Sequence, residues 1–299
     1  MITRHSGLSV EGVLLPKLDE FYERLVEWDG DLPAGLIDKL QELRDTLQGG
    51  AKGTPFSKVE YSTFQKLNIS HGLLDLSDAK KQETEGLGQA EPPACTIPMH
   101  MTQRLIHLVR DHVSMAARPD VLINVILLRL VSVMRSDDME VNIVPGIDIP
   151  PTTFHQDSGN HSFSGAVDFF VVKNPVLWTS CYLVDPVISS LDRLAKGFVV
   201  FAAKRESFKD TFPQAAVAAA SFCEIKHLST IRGCVTSGER WLFFVYEKNL
   251  DGGPRGVVRT SLIFELEREL NGLALILGLL RDWADNATES HLSFFTHLV

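Results

Sequence analysis

Two stretches decide how this chain is read: Ser164-Gly165-Ala166-Val167-Asp168, and, further on, Gly197-Phe198-Val199-Val200-Phe201-Ala202-Ala203-Lys204. Residues 163–172 form a β-type run with Gly165 and Asp168 inside it. Residues 197–201 are wholly apolar, β-branched and aromatic, which predicts a second strand. Side chains alternate along a strand, so positions 202 and 204 share a face. If the two strands are neighbours, Asp168 and Lys204 meet at one site. On their own such residues are common, Asp168 as a turn cap and Lys204 as a solvated strand end; held together on rigid adjacent strands they also suit metal-assisted chemistry at a phosphate. A carboxylate can hold Mg²⁺ beside a phosphate. A cation can orient the attacking water and offset charge at phosphorus.

The elements around this pair form a pattern. Residues 120–136 predict a helix that is apolar on nearly all sides and therefore central. Residues 141–147 predict a short strand. Residues 213–228 are Ala-rich and helical, with Gln214 at the helix opening. Residues 231–235 and 241–246 predict a hairpin joined at Ser237-Gly238, residues 257–265 a further strand, and residues 273–283 a closing helix. The order helix, three strands, helix, strand predicts a mixed sheet with helices against its faces, an α/β (α+β) fold.

The first part of the chain reads differently. Leu14, Leu15, Leu18, Phe21, Tyr22 and Leu25 recur at helical spacing, as do Leu36, Leu40, Leu43 and Leu47. Gly49-Gly50 ends the second of these helices. Gly72, Gly86, Gly88, Pro92 and Pro93, with charged residues at 78–85, predict a long loop or mobile linker over residues 70–98. A helix over about 100–117 follows, and Pro119 separates it from the central one. The expected organisation is a helical region over 1–118 and an α/β core over 119–299.

Gly-x-Val-Asp on one strand, hydrophobics leading to an x-Lys pair on the next, and a helix opening with Gln resemble the PD-(D/E)XK phosphodiesterase superfamily. More narrowly, Arg232-Gly233-Cys234, Ser237-Gly238-Glu239-Arg240-Trp241, Phe243-Phe244 and Leu277-Gly278-Leu279-Leu280-Arg281-Asp282-Trp283 are similar to nuclease-like proteins common in mushroom-forming fungi. The resemblance covers roughly the last 160 residues. It implies a restriction-endonuclease-like core and Mg²⁺- or Mn²⁺-dependent hydrolysis of a nucleic-acid phosphodiester, with DNA favoured over RNA as partner. It implies Asp168 as metal ligand, Lys204 beside the water, and Gln214 assisting from the helix. Glu140, after the central helix, is a further candidate metal ligand.

One position departs from the pattern. The superfamily places Glu or Asp where this chain has Ala202, and alanine cannot ligate a metal. Three accounts stand side by side: a degenerate, non-cleaving relative; a deliberate Glu→Ala exchange; or a carboxylate supplied from elsewhere, by Glu206 or Glu224. The expected activity is therefore weak or absent. A non-catalytic nucleic-acid- or protein-binding module on the same fold is the alternative.

Composition sets outer bounds. The chain has 299 residues, 44% of them apolar, with 38 acidic against 29 basic side chains and a formal net charge of −9. That balance argues against coating nucleic acid by bulk charge, while leaving room for a local basic cleft. Lys173, Lys196, Arg205, Lys209, Arg232 and Arg240 are candidates for a phosphate-binding rim. Cys95, Cys181, Cys223 and Cys234 include no CxxC pair and read as free thiols. His155, Asp157 and His161 cluster beside Pro150-Pro151 and read as solvated loop polars. Trp241, Phe243 and Phe244 read as core. No Walker A loop and no Gly-x-Ser-x-Gly elbow are present. No apolar run is long enough to span a bilayer. The expectation is an intracellular protein, cytoplasmic or nuclear, without membrane partners and compatible with a homo-oligomer.

Overall fold

The computed structural model describes residues 54–93, 95–156, 159–184, 196–202, 208–249 and 255–298. The chain divides into two units, Met1–Gly53 and Thr54–Val299. The two helices expected before Gly50 lie outside the described residues, as do Asp157, Lys204, Arg205 and Glu206.

The second unit is an α/β fold. Its elements run β1 (Thr54–Pro55), α1 (Tyr61–Lys66), β2 (Ile69–Asp75), α2 (Asp78–Gln89), α3 (Met99–His112), α4 (Arg118–Met134), β3 (Met139–Gln156), β4 (Gly159–Pro175), α5 (Thr179–Val184), β5 (Lys196–Ala202), α6 (Phe208–Lys226), β6 (Thr230–Thr236), β7 (Arg240–Lys248), β8 (Gly256–Glu265), α7 (Leu273–Asp285) and β9 (Thr296–Leu298). The nine strands make one mixed sheet in the order β1-β4-β5-β6-β7-β8-β2-β9, with β3 on the other edge of β4. β3, β4 and β5 are successively antiparallel, and β6 runs parallel to β5. That pairing requires a crossover, which α6 supplies. The expected helix–strand–strand–strand–helix–strand order recurs in α4 through β6, with the short α5 added between β4 and β5.

Alternation along the strands builds a core on each face. Val199, Phe201, Phe244 and Tyr246 pack with α6 on one face. Phe198, Val200, Trp241, Phe243 and Val245 pack with α4 and α7 on the other. Ala215, Ala216, Ala218, Ala219 and Ala220 are all fully buried, because α6 is covered from outside as well. The cover is the far half of the β3/β4 hairpin, whose Phe154 and Phe163 join the same core. Arg255 fastens that arm, lying 4.8 Å from the Phe154 ring centroid and donating to the His155 carbonyl at 3.1 Å. Small side chains suit a helix enclosed on two sides.

Two expectations are corrected here. Residues 70–98 are not a linker. They supply β2, which pairs with β8 and β9, and α2, which packs on α7. In the sequence Gly88 counts among the loop signals. A Cβ there would fall on the Ala274 carbonyl oxygen, and a Cβ at Gly278 on that of Thr84. The glycines let the two helix backbones touch. Residues 91–97 are tied to α4: Ser132 Oγ accepts from the Thr96 and Ile97 amides at 2.8 and 2.7 Å, and buried Arg129 bonds the Ile97 carbonyl. The stretch around Pro150-Pro151 is likewise no loop. It belongs to β3, where a register shift between Ile149 and Thr152 accommodates the prolines. β3 also has a free outer edge among the described residues, where a missing amide donor is tolerated.

Candidate functional site

The site is built where two strands part. β4 and β5 pair from Lys173↔Lys196 to Phe169↔Val200, and there the ladder ends. The next residue on β4 is Asp168. Its Oδ2 accepts the Ala202 amide at 2.8 Å, so the side chain takes up an N–H at the very end of β5. The departure has a local cause. Phe170 and Val172 face the α6 core on one side of Asp168, but Phe163 and Val167 face it on the other. Even positions give way to odd ones, which a regular strand cannot do. Opposite this switch, between the pairs Pro145↔Phe169 and Ile147↔Val167, stands Gly146 at φ 65°. The hairpin twists at that point and carries β4 away from β5.

Beyond the gap the same edge of β4 is taken up by β1, through Thr54↔Phe163 and Pro55↔Ser164. Gly165, at φ 147°, allows this approach: a Cβ there would lie 2.9 Å from the Phe56 ring. Between β1 and the end of β5 a cavity of about 510 Å³ opens. Pro55, Phe56 and Ser57 form one wall, Gly165, Ala166 and Asp168 the floor, and Phe201 and Ala202 the strand end. Asp210, Thr211 and Gln214 close it from α6.

α6 reaches the cavity because it begins earlier than its sequence predicts. Pro213 does not open the helix; it lies inside it. Buried Phe208 and Phe212 anchor the preceding turn in the core. This turn brings Asp210 to the cavity, and Asp210 and Gln214 are spaced i, i+4 on one face.

Asp168, Ala202 and Gln214 therefore line one cavity. Ala202 contributes to its wall, while its side chain packs against the opposite core with Phe198 and Val200. Lys204 lies outside the described residues. Glu140 is not at the site. It pairs with Asn174, six residues from Asp168 along β4, or about 20 Å at the rise of a strand. Thr179 donates to its Oε2 at 3.0 Å, and Arg135 lies 3.6 Å from its Oε1. Glu224 does not replace the missing acid either. It sits near the far end of α6, bonded to Lys248 at 2.7 Å and Arg255 at 3.1 Å. Burial acts to raise its pKa, but these two cations prevail and hold it below the ordinary glutamate value.

The expected basic rim dissolves in part. Arg232 is fully buried, bonded to Asp282 at 2.7 Å with its guanidinium 4.8 Å from the Trp283 ring centroid. Lys173 pairs with Asp285 and Arg240 with Glu265. Among the described members of that set, Lys209 is exposed beside the site, lining a neighbouring cavity. His155 bonds Asn160 at 2.9 Å. Among the described residues no group of three His, Cys, Asp or Glu side chains is placed to hold a metal ion.

Among the described residues, the donors that line the cavity are oxygens or amides: the Asp168 and Asp210 carboxylates, the Gln214 amide, and the Thr211 and Ser57 hydroxyls. Such a set suits a hard cation. Mg²⁺ is commonly held by one or two carboxylates, with water and substrate phosphate completing its shell. Asp210, Thr211 and Ser57 were not legible as site residues. Asp210 becomes so only when the helix is started at Phe208, and Pro213 masks that start. No protein-family model matches the chain, and no curated protein matches it.

Proposed function

We propose that the cavity between β1 and the end of β5 holds a divalent cation beside a nucleic-acid phosphodiester, as a weakened or inactive relative of a metal-dependent nuclease. The observation that carries this reading is the carboxylate of Asp168. It stands where β4 and β5 part and lines one cavity with Gln214. Asp168 and Asp210 would hold the cation, and Gln214 and Thr211 would orient water or a phosphate oxygen. The cation, when bound, supplies Lewis-acid stabilisation of charge at phosphorus. The Ala202 amide donates to Asp168 Oδ2 and helps fix the carboxylate.

Low turnover is what the resemblance implies, since Ala202 stands where the motif places a carboxylate; in this fold its side chain packs with Phe198 and Val200 on the opposite core. The same observation supports a second reading, a module that binds nucleic acid without cleaving it. Expected results are Mn²⁺ binding in the wild-type chain, measured by electron paramagnetic resonance, and its loss in Asp168→Asn. Cleavage of labelled single- and double-stranded DNA and RNA should be slow or absent. Mn²⁺ affinity unchanged in Asp168→Asn would overturn the reading. No helix among the described residues is long and apolar enough to cross a membrane.

A further inference from the structure

A second cavity, of about 450 Å³, adjoins the first. The two share Ser57, Asp210 and Gln214 as a common wall. Its other lining side chains include Lys58 and Lys209, Tyr61, Ser62 and Glu60. Lys58 comes from the 3₁₀ turn Phe56–Lys58 and Lys209 from the first turn of α6, so the cations stand on two different walls. Both are exposed. Glu60 is engaged with its own helix, where its side chain accepts an N–H in a capping box with Thr63. Tyr61 is 42% exposed. Its ring is propped from behind by Phe64 and Phe212, with centroids at 5.6 and 6.0 Å.

A half-exposed aromatic ring on a rigid support, flanked by two cations, is what an unpaired base and its phosphates require. A duplex keeps its bases stacked inside and offers Tyr61 nothing to stack on. A ligand with a phosphate at Asp168 can continue past Asp210 and Gln214 into this second cavity. We infer that it is a track for single-stranded nucleic acid, with Tyr61 stacking a base and Lys58 and Lys209 holding the phosphates next to the one at Asp168. This rests on the phosphodiester reading of the first cavity and assigns its substrate class.

The test is fluorescence anisotropy with the full chain, Mn²⁺ and a labelled oligothymidylate of about twelve nucleotides. Single-strand binding is expected to exceed duplex binding. Lys58→Ala and Lys209→Ala should each weaken it and lower the salt slope by about 0.7. Tyr61→Leu, which keeps apolar bulk against Phe64 and Phe212, should lose roughly 5- to 150-fold, while Tyr61→Phe retains binding. Circular dichroism of each variant separates lost binding from lost fold. Duplex bound as tightly as single strand overturns the track. So does oligonucleotide binding indifferent to all three positions, but if Mn²⁺ binding still depends on Asp168 the first cavity's reading stands. Mn²⁺ binding indifferent to Asp168, with no oligonucleotide bound, removes both.

Discussion

Single residues in this fold carry charge in two contrasting settings. Glu224 is partly buried between Lys248 and Arg255, and its pKa lies below the ordinary glutamate value of 4.5 because those cations outweigh desolvation. Between the two pKa values the unfolded chain binds more protons than the folded one, so stability rises with pH there. The contribution is complete above the unfolded value and is lost as pH falls through the folded one. Urea titrations from pH 7 to pH 3 should show Glu224→Gln less stable than wild type at neutral pH, the gap closing in acid. Arg232 is the opposite case, a charge with no exposed surface whose partner Asp282 is 4% exposed. Burial lowers the Arg232 pKa, and Asp282 opposes that shift. Arg232→Met strands the carboxylate and should cost about 3–5 kcal/mol. Arg232→Met with Asp282→Leu should regain most of it, as read from thermal melts. The sequence could offer Arg232 only as a surface cation, because nothing in its neighbours announces an acid fifty residues downstream on another element.

At the scale of elements, the legible parts are those whose pattern is set by the chain itself. The strand at 197–201 has no polar residue and could only be internal. Helix α4 is apolar on nearly every side and sits under the sheet. What escaped depended on a distant partner. Gly86 and Gly88 look alike in sequence, yet a Cβ at Gly86 meets nothing while one at Gly88 strikes α7. Gly86→Ala should therefore stabilise by up to about 1 kcal/mol through helix propensity. Gly88→Ala should destabilise by about 1–3 kcal/mol or more, because the crossing has to open. Paired denaturant curves distinguish these outcomes, and equal effects would refute the close crossing. The same logic applies at the candidate site. Asp168 and Gln214 were legible from their motif, whereas Asp210 depends on Phe208 and Phe212 finding a core.

For the whole molecule, the sheet is not assembled in chain order. β2 is inserted between β8 and β9, pairing Ile69 with Gly256 and Leu73 with Leu298. During synthesis β2 leaves the ribosome about 190 residues before its first partner. At roughly 5–20 residues per second that is a wait of about ten to forty seconds. Through that interval Leu73 and Leu74 are carried on an unpaired strand whose amides and carbonyls can template pairing with a neighbouring nascent chain. The hazard belongs to the growing polypeptide and ends when β8 and β9 close around β2, so the yield of folded protein should depend on translation speed and chaperone supply more than on the stability of the finished fold.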